Sequence, residues 1–279
     1  MRLENWGPDR LPDIEALWRT ACPEETIGLD DLRTVLVDGG GSVVAEVDGG
    51  GVVAFAQGPG EARHRGNIRL LAVHPERQRQ GRGRLLLAAA ETQLRGRGVR
   101  EVRLAGGVPR YLWPGVDVLN TSAQALAEAA GYTSNGAEVN MAMPTSFCTE
   151  NPRGVEVRRV GHSDAATVRD LIEAQWPIWL TEFDIAIRRG AVFAAWSDGC
   201  AIGFFAHSAM RSGWIGPMGT HPDFRARGVG AALLAAVCAD LQRKGQSTAV
   251  VAWVGPVNYF ADRGASVTRR FTRFVKYLV

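Results

Sequence analysis

The sequence contains little of what marks secreted, membrane-spanning or zinc-binding proteins. Its longest apolar run, Ala231 to Ala239, has nine residues, whereas a membrane-spanning helix needs about 20. Glu4 and Asp9 fall where a secretory signal would require an uninterrupted apolar stretch. The four cysteines lack Cys-x-x-Cys spacing and are Cys22, Cys148, Cys200 and Cys238. We therefore expect reduced thiols in a cytoplasmic protein, with no metal site, and not a disulfide framework.

Lysine is also scarce, because arginine supplies 30 of the 32 basic residues. The net charge is only +3, and Arg77–Arg84 is the one basic run, so neither a nucleic-acid partner nor a membrane partner is expected. The 46% hydrophobic content is ordinary for a water-soluble globular protein. A length of 279 residues favours about two domains.

The chain repeats itself once. VHPERQRQGRG at Val73–Gly83 lines up with THPDFRARGVG at Thr220–Gly230, with an offset of 147 residues throughout. Each copy follows a strand-like stretch and continues into a small, leucine-rich helical pattern, which indicates a duplicated domain. We predict domains at 1–147 and 153–279, joined by the polar, proline-containing stretch Pro144–Gly154.

Both copies show the same order of predicted elements: a strand, a helix, a hairpin, a strand, the glycine-containing loop, a helix, a strand, and a closing helix and strand. This order predicts an α/β fold with a mixed, mostly antiparallel sheet flanked by helices. The first copy carries an insertion of about 14 residues after Leu104, AGGVPRYLWPGVDV. Long ordered loops are uncommon without a role, so it is either a packed surface excursion or a wall of a substrate site.

The glycine loop joins a strand to a helix in each copy. Helix N-termini leave backbone N–H groups unpaired and bind phosphate well, and glycine allows a ligand close approach. The loops lack the Lys-Ser/Thr of a Walker loop and the spacing of a dinucleotide fold. The alternative is a tight turn with solvated arginines, which two copies in the same context make less favourable.

The pattern in both copies resembles the acyl-CoA signature of the GCN5-related N-acetyltransferase superfamily. In that signature a strand is followed by [Arg/Gln]-x-x-Gly-x-[Gly/Ala] and then by an apolar helix. Here it reads QRQGRG at Gln78–Gly83 and RARGVG at Arg225–Gly230. The family's later helix motif is matched by Asn120, Ala123, Leu126, Gly131 and Tyr132. The resemblance covers nearly the whole chain as two tandem copies. It implies a sheet that splays between its fourth and fifth strands, where CoA enters as a pseudo-strand.

The resemblance also implies which residues bind acetyl-CoA. The backbone N–H groups expected to hold the CoA pyrophosphate belong to Arg79, Gln80, Gly81, Arg82, Gly83 and Arg84, and to Ala226, Arg227, Gly228, Val229, Gly230 and Ala231, with Gln78 and Arg225 opening the two loops. The main-chain groups expected to pair with the pantetheine arm belong to Leu71, Ala72 and Val73, and to Met218, Gly219 and Thr220. A backbone N–H there would also stabilise the oxyanion as the thioester is attacked.

The family works by direct attack of an amine, and its thiolate is commonly protonated by a tyrosine four residues before the glycine of the last helix. That position holds Ala127 in the first copy and Phe260 in the second. Tyr259, directly before Phe260, and Tyr111, in the insertion, are the two candidates for the acid. Tyr259 is equally open to interpretation as a half-buried aromatic residue.

The proton acceptor has no clear candidate at the family's usual position, which holds Asn67 and Trp214. The two alternatives are a relayed water and His207, although a lone strand histidine is more often structural. Acidic residues follow the first helix of each copy and are either solvated or positioned to attract an amine: Glu24, Glu25, Asp30, Asp31, Glu182 and Asp184. Nearby aromatic residues that belong to a pocket wall or to the core are Trp176, Trp179 and Phe183.

The sequence therefore predicts an acetyl-CoA-dependent N-acetyltransferase that acts on a primary amine of a small molecule. We expect a monomer or homodimer, with catalysis in the second domain because of Tyr259. Three alternatives stay open: an inactive CoA-binding scaffold, a protein or peptide acetyltransferase, and, with least support, a nucleic-acid binder.

Overall fold

The computed structural model describes residues 2–278 and divides the chain into two compact units. Unit 1 is Met1–Glu138 with Arg270–Val279, and unit 2 is Val139–Arg269. Helices and strands alternate in both, and each unit has a mixed sheet flanked by helices, so the predicted α/β class is confirmed. Among the described helices, none is both long and apolar enough to cross a membrane.

The strands, in chain order, are β1 (Leu3–Trp6), β2 (Ser42–Glu46), β3 (Gly51–Gln57), β4 (Arg65–Val73), β5 (Glu101–Leu104), β6 (Val116–Asp117), β7 (Thr133–Pro144), β8 (Glu156–Arg159), β9 (Val192–Ser197), β10 (Cys200–His207), β11 (Trp214–Thr220), β12 (Thr248–Val251) and β13 (Ser266–Tyr277). The helices are α1 (Leu11–Ala21), α2 (Leu29–Leu32, continued by a π-helical turn at Arg33–Val37), α3 (Arg82–Gly96), α4 (Thr121–Ala129), α5 (Ala165–Gln175), α6 (Leu180–Arg188), α7 (Val229–Arg243) and α8 (Val257–Ala261). Short 3-10 turns are Pro8–Arg10, Gly60–His64, Pro75–Arg77, Pro177–Trp179 and Pro222–Phe224.

The sheet of unit 1 has the strand order β1-β2-β3-β4-β5-β13, with β6 against β13. Its pairs are antiparallel except β4 with β5, which run parallel. Helix α3 packs on this sheet through Leu86, Leu87, Ala90 and Leu94, whose spacing places them on one face of a helix. The α3 packing therefore fixes the glycine loop, which directly precedes this helix, against the end of β4.

Unit 2 has the corresponding order β7-β12-β11-β10-β9-β8, with β11 and β12 parallel. Strand β9 is a continuous apolar run, VFAAW, and all five residues are buried. Such a run is typical of a strand covered on both faces. Helix α7 packs on β9 and β10, as do α5 and α6 on β10, so the core encloses these two strands.

The compact units do not coincide with the predicted limits 1–147 and 153–279. Each copy was expected to close with its own last strand, but Phe274–Tyr277 of β13 pairs with β5, and Met141–Pro144 of β7 pairs with β12. The reason is that the two copies offer equivalent sheet edges at β5 and β12. Local sequence pattern predicts a strand there but does not specify which of two equivalent edges it joins.

Candidate functional site

In each unit one strand continues beyond the end of its parallel neighbour. The described pairs of β4 with β5 end at Ile68, although β4 runs on to Val73. Those of β11 with β12 end at Ile215, although β11 runs on to Thr220. The sheet is therefore open along 69–73 and 216–220, which contain the predicted pantetheine segments. Backbone groups along such an opening can pair with an extended ligand as a further strand would.

A β-bulge lies at the start of each opening. In β4 the extra residue is Arg69, which falls between two registered pairs with β3. In β11 the residues Gly216 and Pro217 lie opposite Ala206 alone. Arg69 and Gly216 occupy equivalent positions of the repeat. A bulge bends a strand and changes the direction of its groups, so both openings are built by the same local device.

The glycine loops have the same backbone conformation in both units. Arg79 and Gly81 have positive φ angles of 62° and 77°, and their equivalents Ala226 and Gly228 have 58° and 84°. The helices α3 and α7 begin immediately afterwards, and in neither does a side chain cap the N-terminus. The N–H groups of the first helical turn are thus left for another acceptor, and an anion is a suitable one.

The first loop residue is anchored to the preceding strand in both units. The Gln78 side-chain amide donates to the Val73 carbonyl at 3.1 Å, and the Arg225 Nε donates to the Thr220 carbonyl at 3.2 Å. These are equivalent residues and equivalent carbonyls. The [Arg/Gln] position of the sequence motif therefore fixes the loop against the strand end.

The remaining arginines of the loops are mostly exposed. Arg79, Arg84 and Arg227 are solvent-exposed, and the Arg227 guanidinium lies 5.4 Å from the centre of the Phe224 ring. Arg82 differs, because its guanidinium donates to the buried Glu46 carboxylate at 2.6 Å. Arg82 thus compensates a buried charge of unit 1, while the exposed arginines leave a positive surface around both loops.

Tyr259, a residue of α8, lies beside the N-terminal end of α7. A Cβ on Gly230 would be 2.9 Å from the Tyr259 hydroxyl oxygen and 3.7 Å from Thr220 Oγ1. The hydroxyl is buried and has no hydrogen-bond partner among the described residues. The Arg263 guanidinium lies 3.8 Å above the ring, and burial raises the pKa of Tyr259. A protonated hydroxyl with a free donor is thus held beside the loop.

Unit 1 has a methyl group where unit 2 has this hydroxyl. Leu126 and Tyr259 both stand five residues before the glycine of the last helix, Gly131 or Gly264. A Cβ on Gly83, the equivalent of Gly230, would lie 3.2 Å from Leu126 Cδ2. The two units therefore share the loop but differ in whether a proton donor faces it.

The neighbouring position of the last helix belongs to the core in both units. Ala127 and Phe260, where the family pattern has its tyrosine, are buried in the hydrophobic clusters of their own units. Phe260 is thus a core residue, and Tyr259, directly before it, is only partly buried against the same cluster; its role as the acid stays a prediction.

Aromatic residues cover unit 2's open strand, and a buried acidic residue follows them in the chain. The Trp176 ring covers Gly219, since a Cβ there would be 2.6 Å from two of its ring atoms. Trp176, Trp179 and Phe204 have ring centres 5.7 to 6.1 Å apart, and we call these three residues the aromatic cluster. Glu182, one helical turn after Trp179, is 6% exposed, and its Oε2 has no partner among the described residues. Burial raises its pKa to about 8.

The sequence identifies Glu182 only as one of several acidic residues, because the sequence pattern does not reveal that its side chain is buried.

The positions of the family's usual proton acceptor hold Asn67 and Trp214, whose side chains make structural contacts. The Asn67 side-chain amide donates to the Ala105 carbonyl at 3.1 Å, and the buried Trp214 ring stacks beneath the Arg211 guanidinium.

His207 was a candidate proton acceptor, and its geometry does not favour that role. The ring is fully buried, and its Nε2 lies 3.0 Å from the Asp240 carboxylate. Asp240 stands near the C-terminal end of α7, about 15 Å of helix away from the glycine loop. Burial lowers the pKa of His207 to about 4. The histidine is thus a neutral core residue whose partner fixes α7 to β10.

Tyr111 was the second candidate acid, and it lies in the insertion of unit 1. This insertion packs against the first helices of the unit: the Trp113 ring stacks on Trp18 with centres 5.0 Å apart, and the Arg110 guanidinium donates to the Thr34 carbonyl. Tyr111 itself is 8% exposed. The structure gives the insertion extensive packing, and a catalytic role for Tyr111 stays a prediction.

Comparisons with known proteins agree with this geometry. A family model described as Acetyltransferase (GNAT) family matches residues 4–132 and 163–263. No curated protein matches the sequence significantly. Over 99% of the chain, the fold is similar to a GCN5-related glucosamine N-acetyltransferase region of a fungal multi-domain GH3 β-N-acetylglucosaminidase, with a TM-score of 0.79 and 19% identity. The chain spans 38% of that larger protein.

Two further solved structures are similar over their whole length. A GCN5-related N-acetyltransferase from Sphaerobacter thermophilus has a TM-score of 0.70 and 19% identity, and the match covers 99% of this chain and 95% of that one. A tandem GNAT protein from the clavulanic acid biosynthesis pathway has a TM-score of 0.73 and 16% identity, with 99% and 98% covered. At these identities the similarity concerns the fold.

Proposed function

Because the chain belongs to the GNAT acetyltransferase family, we propose that it transfers an acetyl group from acetyl-CoA to a primary amine of a small molecule, with catalysis in unit 2. The observation that carries this assignment is the buried, unpartnered Tyr259 hydroxyl beside the α7 N-terminus. Unit 1 has a leucine methyl at the equivalent place and no hydroxyl there. We propose that unit 1 binds CoA without turnover.

The residues present fit acetyl-CoA in both units. The uncapped first turns of α3 and α7 offer N–H donors for a pyrophosphate, and the open edges of β4 and β11 offer backbone groups for an extended arm. Acetyl-CoA, when bound, supplies an activated thioester. The bulge of β11 lies at the start of that opening, where a backbone N–H, such as that of Gly216, would stabilise negative charge on a carbonyl oxygen.

Tyr259 then has a defined chemical task. Its hydroxyl keeps its proton across the physiological range, because burial raises its pKa. It is placed to donate that proton to a thiolate leaving from the loop side of the site, as a general acid does. The Arg263 guanidinium packs on the ring and its side chain also donates to the Tyr259 carbonyl, so the ring is held in position.

Two further arguments support an amine acceptor. One similar structure is named a glucosamine N-acetyltransferase region, and glucosamine carries a primary amine. Unit 2 also has a buried acidic residue, Glu182, three residues after Trp179 of the aromatic cluster. Both favour an amine over a hydroxyl or thiol acceptor.

The assignment is tested by titrating acetyl-CoA into the protein by calorimetry. Gly81→Glu and Gly228→Glu place a bulky negative side chain at each loop. Gly98→Glu and Gly245→Glu are matched controls, because these glycines have nearly the same φ, 81° and 80°, and open space around them, but lie at the opposite ends of α3 and α7. We expect two binding events in the wild type, the loss of one in each loop variant, and two in each control.

Turnover distinguishes the proposal from an inactive scaffold. With a panel of primary amines, we expect acetylation to be abolished by Gly228→Glu and retained by Gly81→Glu. Saturable binding with no turnover of any amine would favour the scaffold, and acetylation of peptides alone would favour a peptide acetyltransferase. A folded wild type that does not bind acetyl-CoA would overturn the cofactor assignment.

A further inference from the structure

We infer that Glu182 and the aromatic cluster form the acceptor pocket of unit 2 and select a hydrophobic primary amine, whose ammonium group docks on the Glu182 carboxylate. This inference rests on the proposed acetyl transfer in unit 2. It adds the substrate class and a proton acceptor that the family's usual position does not supply, since that position holds Trp214.

The position of the aromatic cluster is the first argument. Trp176 lies directly on Gly219, within the segment of β11 that runs past its neighbour β12. Trp176 and Trp179 are both only half-buried, so part of each indole faces solvent beside this opening. Exposed indole faces next to an acyl-donor groove suit an apolar substrate, and their π-electrons attract a cation.

The burial of Glu182 is the second argument. It stands in the first turn of α6, three residues after Trp179, so both side chains lie on the same side of the helix. A carboxylate in a first helical turn complements the helix dipole, but an exposed one does so equally well. The dipole of α6 therefore explains why an acidic residue occurs at position 182, but it does not explain why that side chain is buried. A carboxyl group that is 94% buried with an unpartnered oxygen is costly unless a ligand completes it.

The surroundings of Glu182 are the third argument. The helices and strands packed most closely against α6 are α5, β9 and β10, together with the turn Pro177–Trp179. Their titratable or charged residues, with those of α6 itself, are Arg169, Asp170, Glu173, Asp184, Arg188, Cys200 and His207. Of these, Arg169 pairs with Asp184, and His207 pairs with Asp240. Burial raises the pKa of Glu182, and none of the described residues provides a partner for its Oε2.

A cationic substrate supplies the missing charge. A docked ammonium group ionises Glu182, and the carboxylate takes one proton from the nitrogen, which leaves a neutral amine with a free electron pair. The carboxyl group keeps that proton after the product leaves and releases it to solvent when the next ammonium group docks. A substrate that also carries a carboxylate is disfavoured, because its own charge would repel Glu182 in a buried site.

The test is calorimetric binding of phenethylamine at pH 7 in two buffers of different ionisation enthalpy. Because the empty Glu182 is mostly protonated at this pH, we expect binding of the ammonium to release close to one proton. Glu182→Gln preserves the shape of the side chain and is expected to weaken binding by about tenfold or more and to abolish proton release. Asp184→Asn is the matched control on the same helix, where the carboxylate is half-exposed and already paired.

The outcomes separate this inference from the proposed function. Equal affinity and no proton release in the wild type and Glu182→Gln would overturn the inference, even if acetyl-CoA binds and some amine is acetylated. Phenylalanine, which adds a carboxylate to the same skeleton, must bind more weakly than phenethylamine, and equal binding would also overturn it. If the protein binds phenethylamine with proton release but transfers no acetyl group to any amine, the proposed function is wrong and the pocket assignment is supported.

Discussion

Gly230 and Tyr259 occupy complementary space at the start of α7. A Cβ on Gly230 would lie 2.9 Å from the Tyr259 hydroxyl oxygen, which is closer than carbon and oxygen atoms tolerate without a shift. In unit 1 a Cβ on the equivalent Gly83 would lie 3.2 Å from the Cδ2 methyl group of Leu126. The second glycine of the loop thus makes room for a particular side chain of the last helix, in addition to its role at the helix N-terminus.

Gly230→Ala is therefore expected to displace the Tyr259 hydroxyl. The φ angle of Gly230 suits any residue, so the backbone of α7 should remain intact. We expect kcat to fall by about tenfold, because a small displacement of a catalytic group is costly, while the Kd for acetyl-CoA changes much less. Steady-state kinetics and calorimetry measure the two quantities. Gly83→Ala in unit 1 is the matched control, and an equal loss of kcat there would contradict the assignment of catalysis to unit 2.

Tyr259→Phe removes the hydroxyl and keeps the ring on which Arg263 packs. If the hydroxyl protonates the leaving thiolate, kcat should fall by about a hundredfold or more, with little change in acetyl-CoA affinity. Thermal stability should be unchanged or slightly higher, because the variant removes a buried hydroxyl that has no partner. Full activity of the folded variant would exclude Tyr259 as the acid.

The glycine loops were predictable from sequence because their conformation is local. Gly81 and Gly228 have positive φ angles, which glycine adopts more readily than other residues. The anchoring residues Gln78 and Arg225 bind carbonyl groups only five residues earlier in the chain. The spacing of the motif therefore already contains the geometry. The burial of Phe260 is also predictable, because it is the more apolar residue of the adjacent pair Tyr259 and Phe260.

Other features depend on contacts that no local pattern contains. His207 was a reasonable candidate base on its strand, but its partner Asp240 is 33 residues away on α7. The burial of Glu182 results from the packing of α6 on β9 and β10. The closing strands join edges that are equivalent in the two copies, so their partners follow from the assembled sheet and not from the strand sequences.

The structural role of His207 has a consequence for acid stability. Burial lowers its pKa to about 4 from an ordinary value near 6.5, so the folded protein favours the neutral ring. A lowered pKa contributes stability that is present above pH 6.5 and is lost as the pH falls from 6.5 to 4, by up to about 1.4 kcal/mol per pH unit. We expect this slope in denaturant melts of the wild type and its loss in His207→Gln. Asp240 also has a lowered pKa, but its contribution is lost at more acidic pH, so the two windows are separable.

His221→Gln is the control for that experiment, because His221 is only partly buried and lies in the loop region of the same unit. The slope between pH 6.5 and 4 should be unchanged in this variant. A wild-type slope that survives His207→Gln would show that another group carries the acid sensitivity.

Glu182 makes the opposite prediction, since its pKa is raised. Burial moves this pKa from an ordinary 4.5 to about 8, so the folded protein favours the neutral carboxyl group. The resulting stability is fully present below pH 4.5 and is lost as the pH rises through 8, again by up to about 1.4 kcal/mol per pH unit. Glutamine cannot ionise, so Glu182→Gln should become progressively more stable than the wild type between pH 5 and 8. Denaturant melts at both ends of this range measure the difference.

Phenethylamine should reverse this stability difference at pH 8 if its ammonium group binds Glu182. The ligand then stabilises only the wild type, because only the wild type can form the ion pair. A difference between the two proteins that stays constant with pH would mean that Glu182 is ionised in the empty pocket and already has a partner.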